Sequence, residues 1–280
     1  MKILAIGDFH GRFPEKLKRE ARKADLIISP GDFANTDKIR KVVFKHWTSK
    51  KWWEVIGEKK AKKLEKESFY SGVRILKDLN RIGKKSYVIW GNGDFYKDWI
   101  TSEPDSIIPG YYDNKIKKMK NLVLIERKKK KINGIEILGH GGYVDVTEFI
   151  RNPIDKEKEK QKKRLKRYKE TEKELFNLFK AKKPRDFIFL IHYTPYKIFD
   201  IAHYKSSPMH GKHVGFEPYN KIIRKYKPFL VICGHMHEYQ GMKKLGDSLI
   251  VATGPAFEGK AAVIEIDEKK RKVVNVRFIR

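Results

Sequence analysis

Seven polar side chains in this 280-residue chain stand where short apolar runs end: Asp8, His10, Asp32, Asn92, His192, His235 and His237. Asp8 and His10 are two positions apart, as are His235 and His237. On an extended segment residues i and i+2 point the same way, so each pair can aim at one ion. Carboxylate and imidazole together suit Mn, Fe or Zn better than Mg or Ca. Two ions about 4 Å apart usually need a shared carboxylate, and Asp32 is well placed to bridge. Such a pair clamps a phosphate, lowers the pKa of bound water and stabilises a leaving oxygen, which is chemistry for in-line hydrolysis of a phosphate ester. A lone Asp-x-His or His-x-His is commonly an accident of surface or packing. Seven such residues, all at the ends of apolar runs, are not.

The elements that must position them are legible as apolar runs ending in polar turns. KILAI (2–6) leads into Gly7-Asp8-Phe9-His10-Gly11, LIIS (26–29) into Pro30-Gly31-Asp32, and SYVIW (86–90) into Gly91-Asn92-Gly93-Asp94. DFIFLI (186–191) leads into His192, and FLVIC (229–233) into Gly234-His235-Met236-His237. Short continuous apolar runs bounded by glycine predict strands buried on both faces. The segments 14–24, 68–82 and 216–227 read as helices between them, an α/β pattern. Parallel strands would gather these ends along one sheet edge, where open α/β sheets bind ligands. Later segments (NLVLIER, IEILGH, SLIVATG, AAVIEID and the hairpin-like EKKRKVVNVRF, with a turn at Asn133-Gly134) read as antiparallel strands with short turns. A mixed sheet followed by further strands predicts two packed sheets with helices outside.

The run D-x-H-G (8–11), G-D (31–32), G-N-x-D (91–94), H (192) and G-H-x-H (234–237) resembles the calcineurin-like metallophosphoesterase family, in order and over most of the chain. The resemblance implies a four-layer αββα sandwich of two mixed sheets flanked by helices, and one domain over residues 1–280. It also implies two divalent ions, with Mn foremost and Fe, Zn, Ni or Co as alternatives. Carried over by position, Asp8, His10, Asp32 and His237 hold one ion, and Asp32, Asn92, His192 and His235 hold the other. The segment Lys212-His213-Val214-Gly215 also resembles archaeal and bacterial members of unsettled substrate.

The family's third motif usually has a histidine after the asparagine, where this chain has Gly93. That histidine lies near the leaving group, and general-acid help is worth about 10²–10⁴-fold. His140, His203, His210 and His213 are the loop histidines that could substitute. His213 is preferred because HVG precedes a helix whose N-terminus could hold phosphate, and His140 ends a strand. A nucleotide or phosphoanhydride leaving group would lessen the need for any acid. Asp94 is expected to orient the Asn92 loop or a histidine rather than to bind metal. The expected activity is therefore a phosphodiesterase acting on a nucleotide or nucleic-acid-like substrate, with Asp32, Asn92, His213 and His140 as its catalytic set. A catalytically weak scaffold that binds nucleic acid or protein is the alternative that Gly93 raises.

Composition bounds these readings. Lys and Arg number 64 against 35 acids, a formal net charge of +29, which favours polyanionic partners. Lys and Glu abundance with only Gln161 and Gln240 as glutamines is also a hyperthermophile bias. No apolar stretch approaches the roughly 18 residues of a membrane helix, and the first residues read as a core strand rather than a signal peptide. The single cysteine, Cys233, allows no intramolecular disulfide and fits a reducing cytoplasm.

Two stretches interrupt the core pattern. Residues 38–67 are basic, helical in pattern and carry Trp47, Trp52 and Trp53 among Lys45, His46, Lys50 and Lys51. Packing of the tryptophans onto the core is the plainer account. A stacking grip on single-stranded nucleic acid or an apolar wall over a small substrate are the alternatives. Residues 154–183 read as one charged helix of about 40 Å, bracketed by Pro153 and Pro184, with Leu165, Tyr168, Leu175 and Phe179 on one face. A solvated cap, a homodimer contact or a polyanion-binding arm would each use it.

Overall fold

The computed structural model describes residues 1–46, 51–98, 104–153, 158–180 and 186–280. The first part runs β1 (Lys2–Ala5), α1 (Glu15–Lys23), β2 (Leu26–Ser29), α2 (Asp37–Lys45), α3 (Trp52–Ile56), α4 (Glu58–Arg81), β3 (Ser86–Val88), α5 (Asp113–Ile116) and β4 (Leu122–Leu124). There follow β5 (Lys129–Ile132), β6 (Ile135–His140), α6 (Thr147–Arg151), α7 (Lys158–Leu178), β7 (Phe187–Ile191), α8 (Glu217–Tyr226) and β8 (Leu230–Cys233). The chain closes with β9 (Gln240–Leu245), β10 (Ser248–Thr253), β11 (Ala261–Asp267) and β12 (Lys272–Ile279). Two mixed six-stranded sheets form, in the orders β12-β11-β1-β2-β3-β4 and β5-β6-β7-β8-β10-β9.

Alternation along each strand makes four layers from these two sheets. Ile3 and Ala5 of β1, with Ile28 of β2, face Ile188, Leu190 and Ile232 across the inter-sheet core. The intervening Leu4 and Ile27 turn outward to Leu17 of α1 and to Phe69, Val73 and Leu76 of α4. On the second sheet Phe187, Phe189 and Val231 pack outward against Leu175 of α7 and Tyr219, Ile222 and Ile223 of α8. These strands are apolar on both faces because helices cover one side and a sheet the other. The expected four-layer αββα sandwich is what forms.

Several details differ from the sequence reading. β4 pairs parallel with β3, β6 parallel with β7, and β10 parallel with β8, where antiparallel strands were expected. Short apolar runs carry no signal of strand direction. The turn at Asn133-Gly134 does link β5 and β6 antiparallel, with positive φ at both residues (47° and 82°). Helix α4 begins at Glu58, not at residue 68, because its lysine-rich first turns bury only small faces such as Ala61. Leu165 is 40% exposed and does not join Tyr168, Leu175 and Phe179 in the core. Helix α7 covers Lys158–Leu178, and the outer residues of the 154–183 stretch lie outside the described ones.

Within the basic segment 38–67, Trp52 and Trp53 are buried at 4% and 7% exposure, packed with Ile39, Ala61 and Ile107. Packing, not a stacking platform, is their role; Trp47 and Lys50 lie outside the described residues. No described helix is long and apolar enough to cross a membrane.

Candidate metal centre

The seven residues lie on loops that leave the carboxyl ends of β1, β2, β3, β7 and β8. Because these strands run parallel within each sheet, the loops emerge at one edge. The two sheets are stitched there. The His235 amide donates to the Asp8 carboxylate at 3.0 and 3.1 Å, and His192 Nδ1 lies 2.8 Å from the Pro30 carbonyl.

Asp8, His10, Asp32 and His237 offer ligand atoms that all lie within 4.8 Å of one another. Nε2 of His10 faces Nε2 of His237 at 3.1 Å. Beside them Asn92 Oδ1 lies 2.9 Å from His192 Nε2 and 2.8 Å from His235 Nδ1. One oxygen joins the two groups: Asp32 Oδ2 is 3.6 Å from His10 Nε2 and 3.7 Å from His192 Nε2. All seven residues singled out as ligands are thus brought together.

The backbone is bent to achieve this. Asp8, His10, Asp32 and His235 all adopt left-handed conformations, with φ of 54°, 43°, 58° and 69°. Such conformations cost side-chain-bearing residues about 1–3 kcal/mol each and cluster at functional sites. Two loops also pass without room for side chains: a Cβ on Gly91 would lie 1.9 Å from Asp32 Oδ1, and one on Gly31 would lie 2.2 Å from Gly91 N.

Electrostatics suit a cation. Burial, then the ring of His192, holds His235 down to about 3, and burial with His10 beside it puts His237 well below its usual range. Burial also lowers His192. These imidazoles are therefore neutral at pH 7, the state that coordinates metal. Burial alone would raise Asp32, but the charge that His192 and His10 carry when protonated, together with the Gly93 amide that donates to its Oδ1, brings it down to about 2. Burial and the Asp32 charge push Asp8 well above the usual carboxylate range. Two close carboxylates with neutral imidazoles form a donor set that fits a divalent ion.

Further residues hold this set. Asp94, fully buried, accepts four backbone N–H groups, from Asp32, Phe33, Ala34 and Gly91, at 2.7–3.2 Å. It therefore staples the Asp32 loop to the Asn92 loop. The Pro30 carbonyl, 2.8 Å from His192 Nδ1, fixes that ring so that Nε2 points at Asn92. Asp37 Oδ1 sits 3.3 Å from His10 Nδ1, and the Tyr193 ring lies against His235 with centroids 3.9 Å apart. Asp37 and Tyr193 were missed in the sequence. Asp37 has an Arg40 three residues on, an ordinary helix pair, and Tyr193 merely follows a ligand.

His140 and His213 are not brought to the cluster. His140 is buried with Nδ1 2.8 Å from the Tyr219 hydroxyl, and burial drives it down to about 3, which leaves no proton to give at neutral pH. His213 points Nδ1 at buried Asp200, 2.7 Å away. Neither lines the cavity of about 770 Å³ that opens beside His10, Asp32 and Asn92; among the four loop histidines, His203 does.

This geometry has a known setting. Over residues 1–276 the chain matches the family described as metallophosphoesterase, calcineurin superfamily, and it belongs to that family. It is 24% identical over 280 residues to the uncharacterized protein MJ1162 of Methanocaldococcus jannaschii, covering 96% of each chain. A putative 5′-nucleotidase from Staphylococcus aureus, solved with alpha-ketoglutarate, superposes with a TM-score of 0.51 at 14% identity, over 99% of this chain and 53% of its own. A dimetal phosphatase from Danio rerio gives a TM-score of 0.50 at 10% identity, over 96% and 93% of the two chains. At such identities the likeness is one of fold. Family and donor cluster together support metal-dependent phosphoester hydrolysis.

Proposed function

We propose that this protein is a phosphodiesterase acting on a nucleotide-type ester at two divalent ions, with Mn as the preferred metal. Asp8, His10, Asp32 and His237 hold one ion; Asp32, Asn92, His192 and His235 hold the other. The observation that carries this reading is the position of Asp32 Oδ2, 3.6 Å from a histidine of one group and 3.7 Å from a histidine of the other. When bound, such ions act as Lewis acids, activate water and neutralise charge on the displaced oxygen. The chain's own part is to keep the rings neutral by burial and to aim His10 and His192 through Asp37 and Pro30. Asp94 locks the two loops together.

Gly93 leaves no imidazole at its position, and His203 lines the cavity with Nε2 3.0 Å from the Tyr239 hydroxyl. An ester with a good leaving group fits this arrangement, since it needs little acid assistance. Metal content by elemental analysis tests the reading. Wild-type protein should carry two ions per chain and Asp32→Asn at most one, with diester turnover exceeding monoester turnover. One ion in the wild type, or a monoester preference, would contradict it.

A further inference from the structure

The cavity beside the cluster is much larger than a phosphate group requires and falls within the size range of small-molecule sites. Its floor near the metal ligands meets helix α2. A Cβ on Gly93 would lie 3.2 Å from Thr36 Oγ1, and Thr36 immediately precedes α2. The Arg40 amide donates to Thr36 O at 2.8 Å, which places Arg40 one helical turn further along. Val43 and Phe44 follow another turn on and line the same cavity.

Arg40 is held but not used up. Its Nη2 bonds Asp37 Oδ1 at 2.9 Å, the same oxygen that approaches His10, and its guanidinium lies over Tyr204 at 5.6 Å from the ring centroid. Its Nε is buried and has no hydrogen-bond partner among the described residues. Lys260, the other Lys or Arg among the described lining residues, is tied to Glu258 at 2.7 Å. A guanidinium fork matches phosphoryl oxygens in shape and charge. The lining is otherwise largely apolar, with Val146, Phe149 and Met209 joining Val43 and Phe44 of α2. Glu238, an acidic side chain, also lines the cavity, which disfavours a run of phosphates there.

Resting on the phosphoester reading above, we propose that Arg40 grips the substrate's phosphoryl oxygens and that the apolar wall takes up an aromatic or similarly apolar organic group. The substrate is then a small ester with an aryl-like arm, not a polymer. This gives α2 the part of an apolar wall over a small substrate, one of the alternatives open for the basic segment 38–67, and adds to it a phosphoryl grip by Arg40.

Calorimetric binding to Mn²⁺-loaded protein tests this, with inorganic phosphate, methylphosphonate and benzylphosphonate as probes. Burying one aromatic ring predicts that benzylphosphonate binds about 10- to 100-fold tighter than methylphosphonate. Arg40→Gln should weaken all three probes by about 10-fold or more. Arg40→Lys, which keeps the charge but not the fork, should fall between, and decides the matter if the glutamine variant does not fold. Val43→Asn should shrink the ratio of benzyl to methyl affinity. Equal affinity for the two phosphonates, or phosphate affinity untouched by either Arg40 variant, would overturn the proposal. Turnover of an aryl phosphodiester on the same preparation separates the two readings. Turnover with Arg40-independent binding removes only this inference, whereas Arg40-dependent aryl binding without turnover removes only the phosphodiesterase reading.

Discussion

Replacing Asp94 by asparagine changes one atom in a fully buried side chain, and its consequence can be worked out from the bonds it makes. Oδ2 accepts from the amides of Asp32 and Gly91 at 2.9 and 2.8 Å, and Oδ1 from those of Phe33 and Ala34 at 2.7 and 3.2 Å. Asparagine keeps one acceptor oxygen, so whichever way its amide turns, two of the four buried N–H groups face another N–H. Each unsatisfied donor costs about 1–3 kcal/mol, giving about 2–6 kcal/mol. Part of this is offset. Burial and the Asp32 carboxylate push Asp94 up to about 8, so keeping it ionised to accept four N–H groups is itself unfavourable at neutral pH, a cost that asparagine avoids. The lower half of the range, about 2–4 kcal/mol, is therefore expected. At about 2.1 cal/mol/K of unfolding entropy per residue this is a fall in Tm of roughly 3–7 °C. Thermal unfolding in the presence of chelator measures it without any contribution from bound metal. The loops that carry Asp32 and Asn92 should also lose their alignment, so metal uptake should fall. An unfolding midpoint within about 1 °C of wild type would refute the stapling role.

Other expectations follow from burial and charge. Trp53→Ala should cost about 3–5 kcal/mol in denaturant unfolding, yet leave the salt dependence of any polyanion binding unchanged; a shallower salt slope would restore a nucleic-acid grip. His140 has a folded pKa of about 3, below its unfolded value of about 6.5, because burial excludes the charged ring. Its contribution to stability is thus full above about pH 6.5 and lost as pH falls toward 3. Relative to wild type, metal-free His140→Asn should be spared about 2 kcal/mol of destabilisation between pH 7 and pH 5; parallel pH profiles for the two proteins would show that the ring titrates normally.

The metal cluster was legible because its chemistry is local: each candidate ligand follows an apolar strand directly, and parallel strands align their ends. The inter-sheet core was legible for the same reason, since LIIS and FIFLI are buried on both faces. Strand direction was not, because β4, β6 and β10 carry the same apolar signature whether paired parallel or antiparallel. Strand β9, absent from the sequence reading, lies at a sheet edge and buries only Leu245, so alternation has nothing to mark. The supporting residues were hidden for another reason. Asp37 and Arg40 look like an ordinary helix pair, and Tyr193 like a core aromatic, until tertiary packing sets them beside His10 and His235. His213 misled because its loop-to-helix context resembles an anion site, while its imidazole is already engaged by Asp200.

The central claim is metal-dependent phosphoester hydrolysis at a site bridged by Asp32. The most direct measurement is turnover of a chromogenic phosphodiester and its matching monoester by wild type and Asp32→Asn, each with Mn²⁺ and with chelator. The account predicts Mn²⁺-dependent, chelator-sensitive hydrolysis that favours the diester and is abolished in the variant. Equal turnover by the variant, or no turnover by wild-type protein shown to carry two ions, would contradict it.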